Sequence, residues 1–518
     1  MKRNVKLRKF HAPVWNEPVI MEMGHKGERG IIMPKAEEEI QTAIGDAELY
    51  IPQEMRRKEE PALPEISQPQ LLRHYEHLSQ QTVGMEENID ISEGTCTMKY
   101  SPKVNEMLAR MAQMTETHPY QDEDTIQGCL EIIYQLDLFL REISGLDKFT
   151  FQPCGGSQAA YTNACIVAAY HASRGELAQR NEMITTVFSH PCNAATASTA
   201  GFKVITLMPE KNGRPSLEAL KAACSEHTAG VMITNPEDTG IYNSQIREFV
   251  NTVHTAGGLC FYDQANANGI LGITRAKEAG FDGCFFNLHK TFSSPHGSMG
   301  PGCGAYGCTE ELAKFLPYPV ITFDGTKYHL EYTRPDSIGK VSEFIGNIPS
   351  VLKAYSWIMS MGAEGLLKTA QISILNNHYL DKMLMQIPGI VKYYDTGKRR
   401  IEQVRYSWET MERDTGCGTE DVRRRMVDYG LQQYFASHHP WVVPEPFTPE
   451  PCETYSKEDC EYWAAVMAQI SKEAYKDREI LKKAPHNSTI HKLNYEVFDD
   501  PQKWAMTWRA FLRKRGKK

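Results

Sequence analysis

The chain has 518 residues, 41% of them hydrophobic and 24% charged, with a formal net charge of −8 at pH 7. At roughly 100–200 residues per domain, that length allows two domains and an additional arm. A mildly acidic chain has no general electrostatic reason to bind nucleic acid or an anionic membrane, and no run approaches the roughly 18–20 apolar residues that span a bilayer.

The first residues, Met1-Lys2-Arg3-Asn4-Val5-Lys6, are basic but lack the apolar core of a signal peptide. Thirteen cysteines occur without CxxC pairs and often inside apolar runs, as at Cys165, Cys260 and Cys284. This reads as reduced thiols in a cytoplasm, not as a disulfide framework or a zinc site. No metal is expected.

Residues 1–95 read as an N-terminal arm rich in Glu, Arg and Pro, in which Pro61-Ala62-Leu63-Pro64 interrupts any helix. Such an arm either wraps a neighbouring domain or subunit or is a flexible leader. From 96 to 330 compact β-type runs alternate with helical stretches. The strands are expected at Met183–Phe188, Lys203–Leu207, Gly230–Thr234 and Leu259–Tyr262, with helices such as Ser216–Lys221 between them and a helical run, Ala159–Ala172, ahead of them. Apolar strands alternating with helices predict an α/β fold with a mostly parallel sheet flanked by helices. Its ligand belongs at the carboxyl ends of the strands. Over 331–518 helical periodicity dominates, at Val351–Leu375 and Lys457–Leu481, which predicts a smaller C-terminal α+β domain. The closing basic cluster from Arg513 to Lys518 reads as a solvated terminus.

Four features of the 96–330 segment suit pyridoxal 5′-phosphate (PLP). That cofactor needs a lysine for its imine, an acid at the pyridine nitrogen, a flat group against the ring and a backbone cradle for the phosphate. Lys290 lies in the apolar run Phe285-Phe286-Asn287-Leu288-His289-Lys290-Thr291-Phe292, where a buried ammonium is costly unless paired or consumed. Asp263 ends the run Leu259–Tyr262, placed to reach a ring nitrogen, although a strand-end Asp also serves as a cap. His190 closes the run Met183–Phe188 and offers a ring for stacking. Gly155-Gly156-Ser157-Gln158 opens a helical run and offers amides to a phosphate. Asn235-Pro236-Glu237-Asp238-Thr239-Gly240 brings polar side chains to the same sheet edge, as cofactor contacts or as an ordinary turn.

Several of these segments carry a family resemblance. Thr95–Lys103, Thr234-Asn235-Pro236 with Thr239-Gly240, Tyr262–Asn266, Asn287–Phe292 with Pro295-His296-Gly297, Ser337–Lys340 and Ala484-Pro485-His486 closely resemble the second (β) subunit of the glycine decarboxylase P-protein. The likeness covers most of the chain from about Pro64. It implies the PLP-dependent transferase fold type I, a Schiff base at Lys290, ring stacking by His190 and a pyridinium contact for Asp263. Gly155, Gly156, Ser157, Asn235, Thr239 and His289 become further cofactor contacts. Cys96, Thr97 and His296, which lie within these motifs, become substrate-binding residues. The implied reaction is decarboxylation of a small amino acid, glycine, with transfer of the aminomethyl group to the lipoyl arm of H-protein. A first P-protein subunit is the implied companion, in a homodimer or a hetero-oligomer.

The chain departs from the family pattern at Gly155–Ala160, at Pro191–Ala194 after His190, and at Ser298-Met299. These positions border the expected pocket, so a paralogue acting on another amino acid is a second reading. A non-catalytic subunit of a PLP complex is a third, and the retained Lys290 and Asp263 speak against it.

Overall fold

A computed structural model describes residues 5–84, 87–91, 99–295, 300–395, 397 and 399–516. The chain divides into two compact units: Gly84–Ala484 together with the residues up to Lys9, and Phe10–Val83 together with Pro485–Lys518. No division falls at 330, and the smaller unit joins most of the arm to the C-terminal tail. A backbone bond from Ala12 N to Asn487 O (2.9 Å) and one from Thr489 Oγ1 to Pro13 O (2.8 Å) tie its two segments.

The larger unit is built on seven strands: β1 (Lys148–Thr150), β2 (Glu182–Thr186), β3 (Lys203–Leu207), β4 (Thr228–Thr234), β5 (Leu259–Gln264), β6 (Gly283–Asn287) and β7 (Gly304–Cys308). They lie in the order β1-β7-β6-β5-β4-β2-β3. The pairs β2–β3, β2–β4, β4–β5 and β5–β6 are parallel, while β7 runs antiparallel to both β6 and β1. The strands β2 to β5 fall where the apolar runs predict them. β2 stops at Thr186 because the Ser189 amide donates to its carbonyl (3.2 Å) and turns the chain out of the sheet.

Successive strand residues point to opposite faces, and both faces are covered. Met183, Phe261 and Phe285 pack with Ala159, Ala164 and Ile166 of the helix Gly156–Ser173. Their neighbours Ile184, Tyr262 and Phe286 pack on the other face with Leu136 and Leu140 of the helix Gln127–Ser144 and with Phe249 and Val253 of the helix Ile246–Thr255. Full burial of each such side chain is worth about 1.5–3 kcal/mol, which holds the sheet rigid beneath its carboxyl edge.

The predicted helix over Val351–Leu375 extends to Ile348–Leu384 and breaks at Gly362, whose φ of 62° and ψ of 177° are not helical. Lys457–Lys476 is helical, with Ser456 and Asp459 forming a reciprocal cap. It closes a third apolar cluster with Leu380, Leu384 and Trp463, alongside a small antiparallel sheet of Val391–Lys392, Tyr406–Ser407 and Pro446–Phe447. Among the described residues, no helix is long and apolar enough to cross a membrane.

Candidate active site

The carboxyl ends of β4, β5 and β6 lie side by side. Thr234 stands opposite Asp263, and Asp263 opposite Phe285. Asp263 is buried, accepting from the Ala265 amide at Oδ1 (3.0 Å) and from Asn193 Nδ2 at Oδ2 (3.1 Å). Burial pushes its carboxyl above the usual range, against the opposing pull of the Ala265 amide and the Lys290 charge. Lys290 follows β6 in a turn closed by its own amide on Asn287 O (3.0 Å) and is only 7% exposed.

His190 caps the helix Pro191–Thr199. Its Nδ1 accepts from the Cys192 amide (3.0 Å), so the neutral ring carries its hydrogen on Nε2. Burial, with the added charge of His438 and Lys290, pulls its pKa down to about 3. The imidazole is therefore uncharged at neutral pH. His438 meets it edge-on, with ring centroids 4.4 Å apart and planes at 72°, and burial with the Lys290 charge brings its pKa down to about 4.

One cavity takes in Lys290, Asp263 and His190. Phe188, Thr234, Pro236, Asp238, Ala265, Asn266, Glu402, Gln403 and His438 complete its described walls. Five of these present buried polar atoms without a protein partner: Thr234 Oγ1, Asp238 Oδ1, Glu402 Oε2, Gln403 Oε1 and His438 Nε2. Buried polar groups are normally satisfied, so this lining suits a polar ligand. A buried amine, a strand-end carboxyl beside it and a neutral ring are the donor set PLP requires, and the residues fit that cofactor.

The remaining expected contacts lie apart from these walls. Gly155, Gly156 and Ser157 form the start of the helix Gly156–Ser173, which no side chain caps. A Cβ on Gly156 would stand 2.8 Å from Asn287 Nδ2 and 3.1 Å from the Phe285 ring, so glycine there lets the loop close on the end of β6. His289 accepts at Nδ1 from the Cys303 amide (3.3 Å). Both ends of the Asn235 carboxamide go to the backbone of Asn243, and Thr239 Oγ1 accepts from the Ile241 amide (3.4 Å). These two side chains tie their own loop together and do not line the cavity. Cys96, Thr97 and His296 lie outside the described residues.

Three wall residues escape the sequence reading, Glu402, Gln403 and His438, as does Arg405 behind Asp238. Arg405 is buried and donates through Nη2 to Asp238 Oδ2 (2.6 Å). The Glu402 carboxyl lies over Gly269, where any Cβ would overlap it. Burial and the neighbouring Glu450 push its pKa well above the usual value. Glu450 in turn accepts at Oε1 from Asn266 Nδ2 (2.7 Å) and Asn268 Nδ2 (2.9 Å). The signals available were the consecutive His438-His439 before Pro440 and the polar run Glu402-Gln403 between apolar residues.

Comparison with known proteins agrees with this architecture. The aminotransferase class-V model matches residues 158–405, and the glycine dehydrogenase C-terminal domain model matches residues 369–491. A Pyrococcus abyssi protein described as probable glycine dehydrogenase (decarboxylating) subunit 2 is 41% identical over 509 residues, 97% of this chain and 98% of that one. Proteins so described from Thermococcus kodakarensis and Caldanaerobacter subterraneus are each 40% identical, over 98% and 92% of this chain and 99% and 96% of their own. Among solved structures, an inhibitor-bound glycine decarboxylase (P-protein) of the glycine cleavage system aligns with a TM-score of 0.70 at 18% identity, covering 85% of this chain and 100% of that one. A NifS-like protein aligns with a TM-score of 0.58 at 16% identity, covering 74% and 99%. At those identities the structural matches speak for the fold, the PLP-dependent transferase fold type I. The length and identity of the sequence matches carry the assignment: this chain belongs to the family of glycine dehydrogenase (decarboxylating) subunit 2.

Proposed function

We propose that the chain is the PLP-binding second subunit of a two-subunit glycine dehydrogenase. It takes glycine, releases the carboxylate as CO2 and passes the aminomethyl group to a lipoylated H-protein. The observation that carries this reading is the convergence of Lys290, Asp263 and His190 on one buried cavity, in a chain that matches its relatives nearly end to end.

Lys290 Nζ is the attachment point for the cofactor, and no ion pair among the described residues competes for it. Asp263 would hold a proton at the ring nitrogen, with its carboxylate oriented by the Ala265 amide and Asn193. His190 offers an uncharged face, its ring fixed by the Cys192 amide. Bound there, PLP supplies an electron sink for the pair of electrons that CO2 leaves behind. Lys290 is the cation among the described wall residues, and Arg405 is turned to Asp238. Among the described wall residues no arginine is present to clamp the substrate carboxylate. This arrangement avoids stabilising a charge that must disperse in the transition state. Gly155, Gly156 and Ser157, at the start of their helix, would hold the phosphate through their amides. Asn235, Thr239 and His289 support that site by shaping its loops.

The twelve described cysteines are all free, which suits a reducing compartment, and a cytoplasmic location belongs to this reading. The test is direct. Borohydride reduction of the purified chain should fix PLP on the peptide carrying Lys290. With first subunit and lipoylated H-protein added, labelled bicarbonate should exchange into the carboxyl of glycine. An adduct on another lysine overturns the site. Exchange that fails with glycine, while another amino acid perturbs the cofactor spectrum more strongly, overturns the substrate and favours the paralogue.

A further inference from the structure

Two buried carboxyls, Glu402 and Glu450, neighbour each other at the catalytic cavity. Neither has a part in the chemistry of Lys290, Asp263 and His190. Glu402 lines the cavity at 3% exposure, and its Oε2 has no hydrogen-bond partner among the described residues. A Cβ on Gly269 would overlap that oxygen, so glycine there makes room for the carboxyl. Glu450 is wholly buried, and its amide donates to Ile91 O (2.8 Å). Its Oε1 accepts from Asn266 Nδ2 (2.7 Å) and Asn268 Nδ2 (2.9 Å). Asn266 Oδ1 in turn accepts from the Asn268 amide (2.9 Å), which fixes the end of that carboxamide that faces Glu450.

Two carboxyls side by side in a dry site do not both ionise, so the pair keeps a proton. Glu450 is the member that accepts from two carboxamides, as a carboxylate does, and Glu402 is the one with an oxygen left over. The proton therefore belongs on Glu402, in keeping with the upward push that burial and Glu450 give its pKa. A neutral carboxyl donates a hydrogen bond where a carboxylate would repel an anion. The cavity needs such a donor, because glycine brings a carboxylate and no arginine stands among the described walls. Two other wall residues offer acceptors instead. Gln403 gives Nε2 to Glu237 O (3.4 Å) and leaves Oε1 over, and Asp238, paired with Arg405 through Oδ2, leaves Oδ1 over.

We propose that Glu402 recognises the substrate carboxylate, donating its acid hydrogen to one of the carboxylate oxygens. The inference rests on the reading of the site as one that takes glycine, and deepens it. A neutral donor orients the carboxylate without setting a full positive charge beside it. The carboxylate charge disperses as CO2 leaves, so a weak, directional contact forfeits little of its strength in the transition state. Glu450, Asn266 and Asn268 act through Glu402 and are positioning residues. An amine that lacks the carboxylate gains nothing from Glu402, so the same hydrogen bond separates glycine from a simple amine.

The test reads dissociation constants of glycine and of methylamine from the cofactor's absorbance, on the chain loaded with PLP and joined by its first subunit. Glu402→Ala should weaken glycine about 10- to 100-fold, the loss of a hydrogen bond to a charged group. Methylamine should stay within about threefold. Glu402→Gln, whose carboxamide still donates, should bring glycine back to within about threefold of the wild type. Infrared difference spectra need no turnover. Glycine, and not methylamine, should shift the C=O band of a protonated carboxyl, and the shift should vanish in Glu402→Gln. That readout decides the matter if Glu402→Ala misfolds. Equal weakening of both ligands in Glu402→Ala, unchanged glycine binding in it, or an unshifted band overturns the proposal. So does loss of glycine selectivity in His438→Asn with Glu402→Ala unaffected, which gives the role to His438. Failure of the functional reading shows separately, as a borohydride adduct away from Lys290 or as preference for another amino acid. Comparing that amino acid with its own decarboxylated amine then tests Glu402 in the same way.

Discussion

Arg405 and Asp238, 167 residues apart in the chain, form a buried ion pair at the cavity that takes in Lys290, Asp263 and His190, with Nη2 2.6 Å from Oδ2. Burial alone pushes the Asp238 carboxyl up, and the Arg405 charge opposes that shift. Removing one partner leaves the other uncompensated in a dry site. Asp238→Ala should therefore cost about 3–5 kcal/mol of unfolding free energy. An Arg405→Met, Asp238→Leu double variant should recover most of that loss, because apolar replacement of a buried pair is often close to neutral. Denaturant titration of the three proteins measures it; a double variant no more stable than the single one would contradict the account.

Asp263→Asn should keep the fold and bind PLP but lose at least ~100-fold in glycine exchange, in line with removing a charge-stabilising group from a preorganised site. The amide can still accept from Ala265, so the local turn is preserved. It cannot hold the proton of a pyridinium. Near-normal exchange in this variant would assign the ring-nitrogen contact to another residue.

His190 does two jobs that substitution can separate. His190→Asn can still accept from the Cys192 amide and cap the helix Pro191–Thr199, but offers no ring. His190→Phe offers a ring but loses the cap, at a cost of about 1 kcal/mol. PLP affinity should hold better in the Phe variant and thermal stability in the Asn variant. With its pKa down near 3, wild-type His190 should put no limb on the rate profile between pH 5 and 8.

Glu237 is buried, and desolvation raises its pKa to about 8 from the ordinary 4.5. A raised carboxyl pKa means that the folded state holds its proton to higher pH than the unfolded chain does. The stability this group contributes is present below about 4.5 and is lost as pH climbs toward about 8. Glu237→Gln should flatten that decline, so the variant gains on the wild type between pH 5 and 8 and matches it at acid pH. Melting temperatures taken across that range decide it; parallel curves would refute the shift.

The sequence alone determined much of the sheet and the three residues at its edge. Apolar runs such as Leu259–Tyr262 are local signals, because alternate residues of a strand between two helix layers must both be buried. Lys290, Asp263 and His190 stand out for the same reason, each a polar group closing an apolar run where the chain leaves the sheet. The tertiary structure decided the rest. Whether Asn235 faces a ligand or its own loop depends on where Asn243 comes to lie, and both ends of its carboxamide are spent there. Glu402, Gln403 and His438 reach the cavity from segments more than a hundred residues beyond Lys290, and no local pattern encodes that return. The joining of Ala12 to Asn487 is likewise made by backbone atoms, which every residue carries, so side-chain chemistry leaves no trace of it in the sequence.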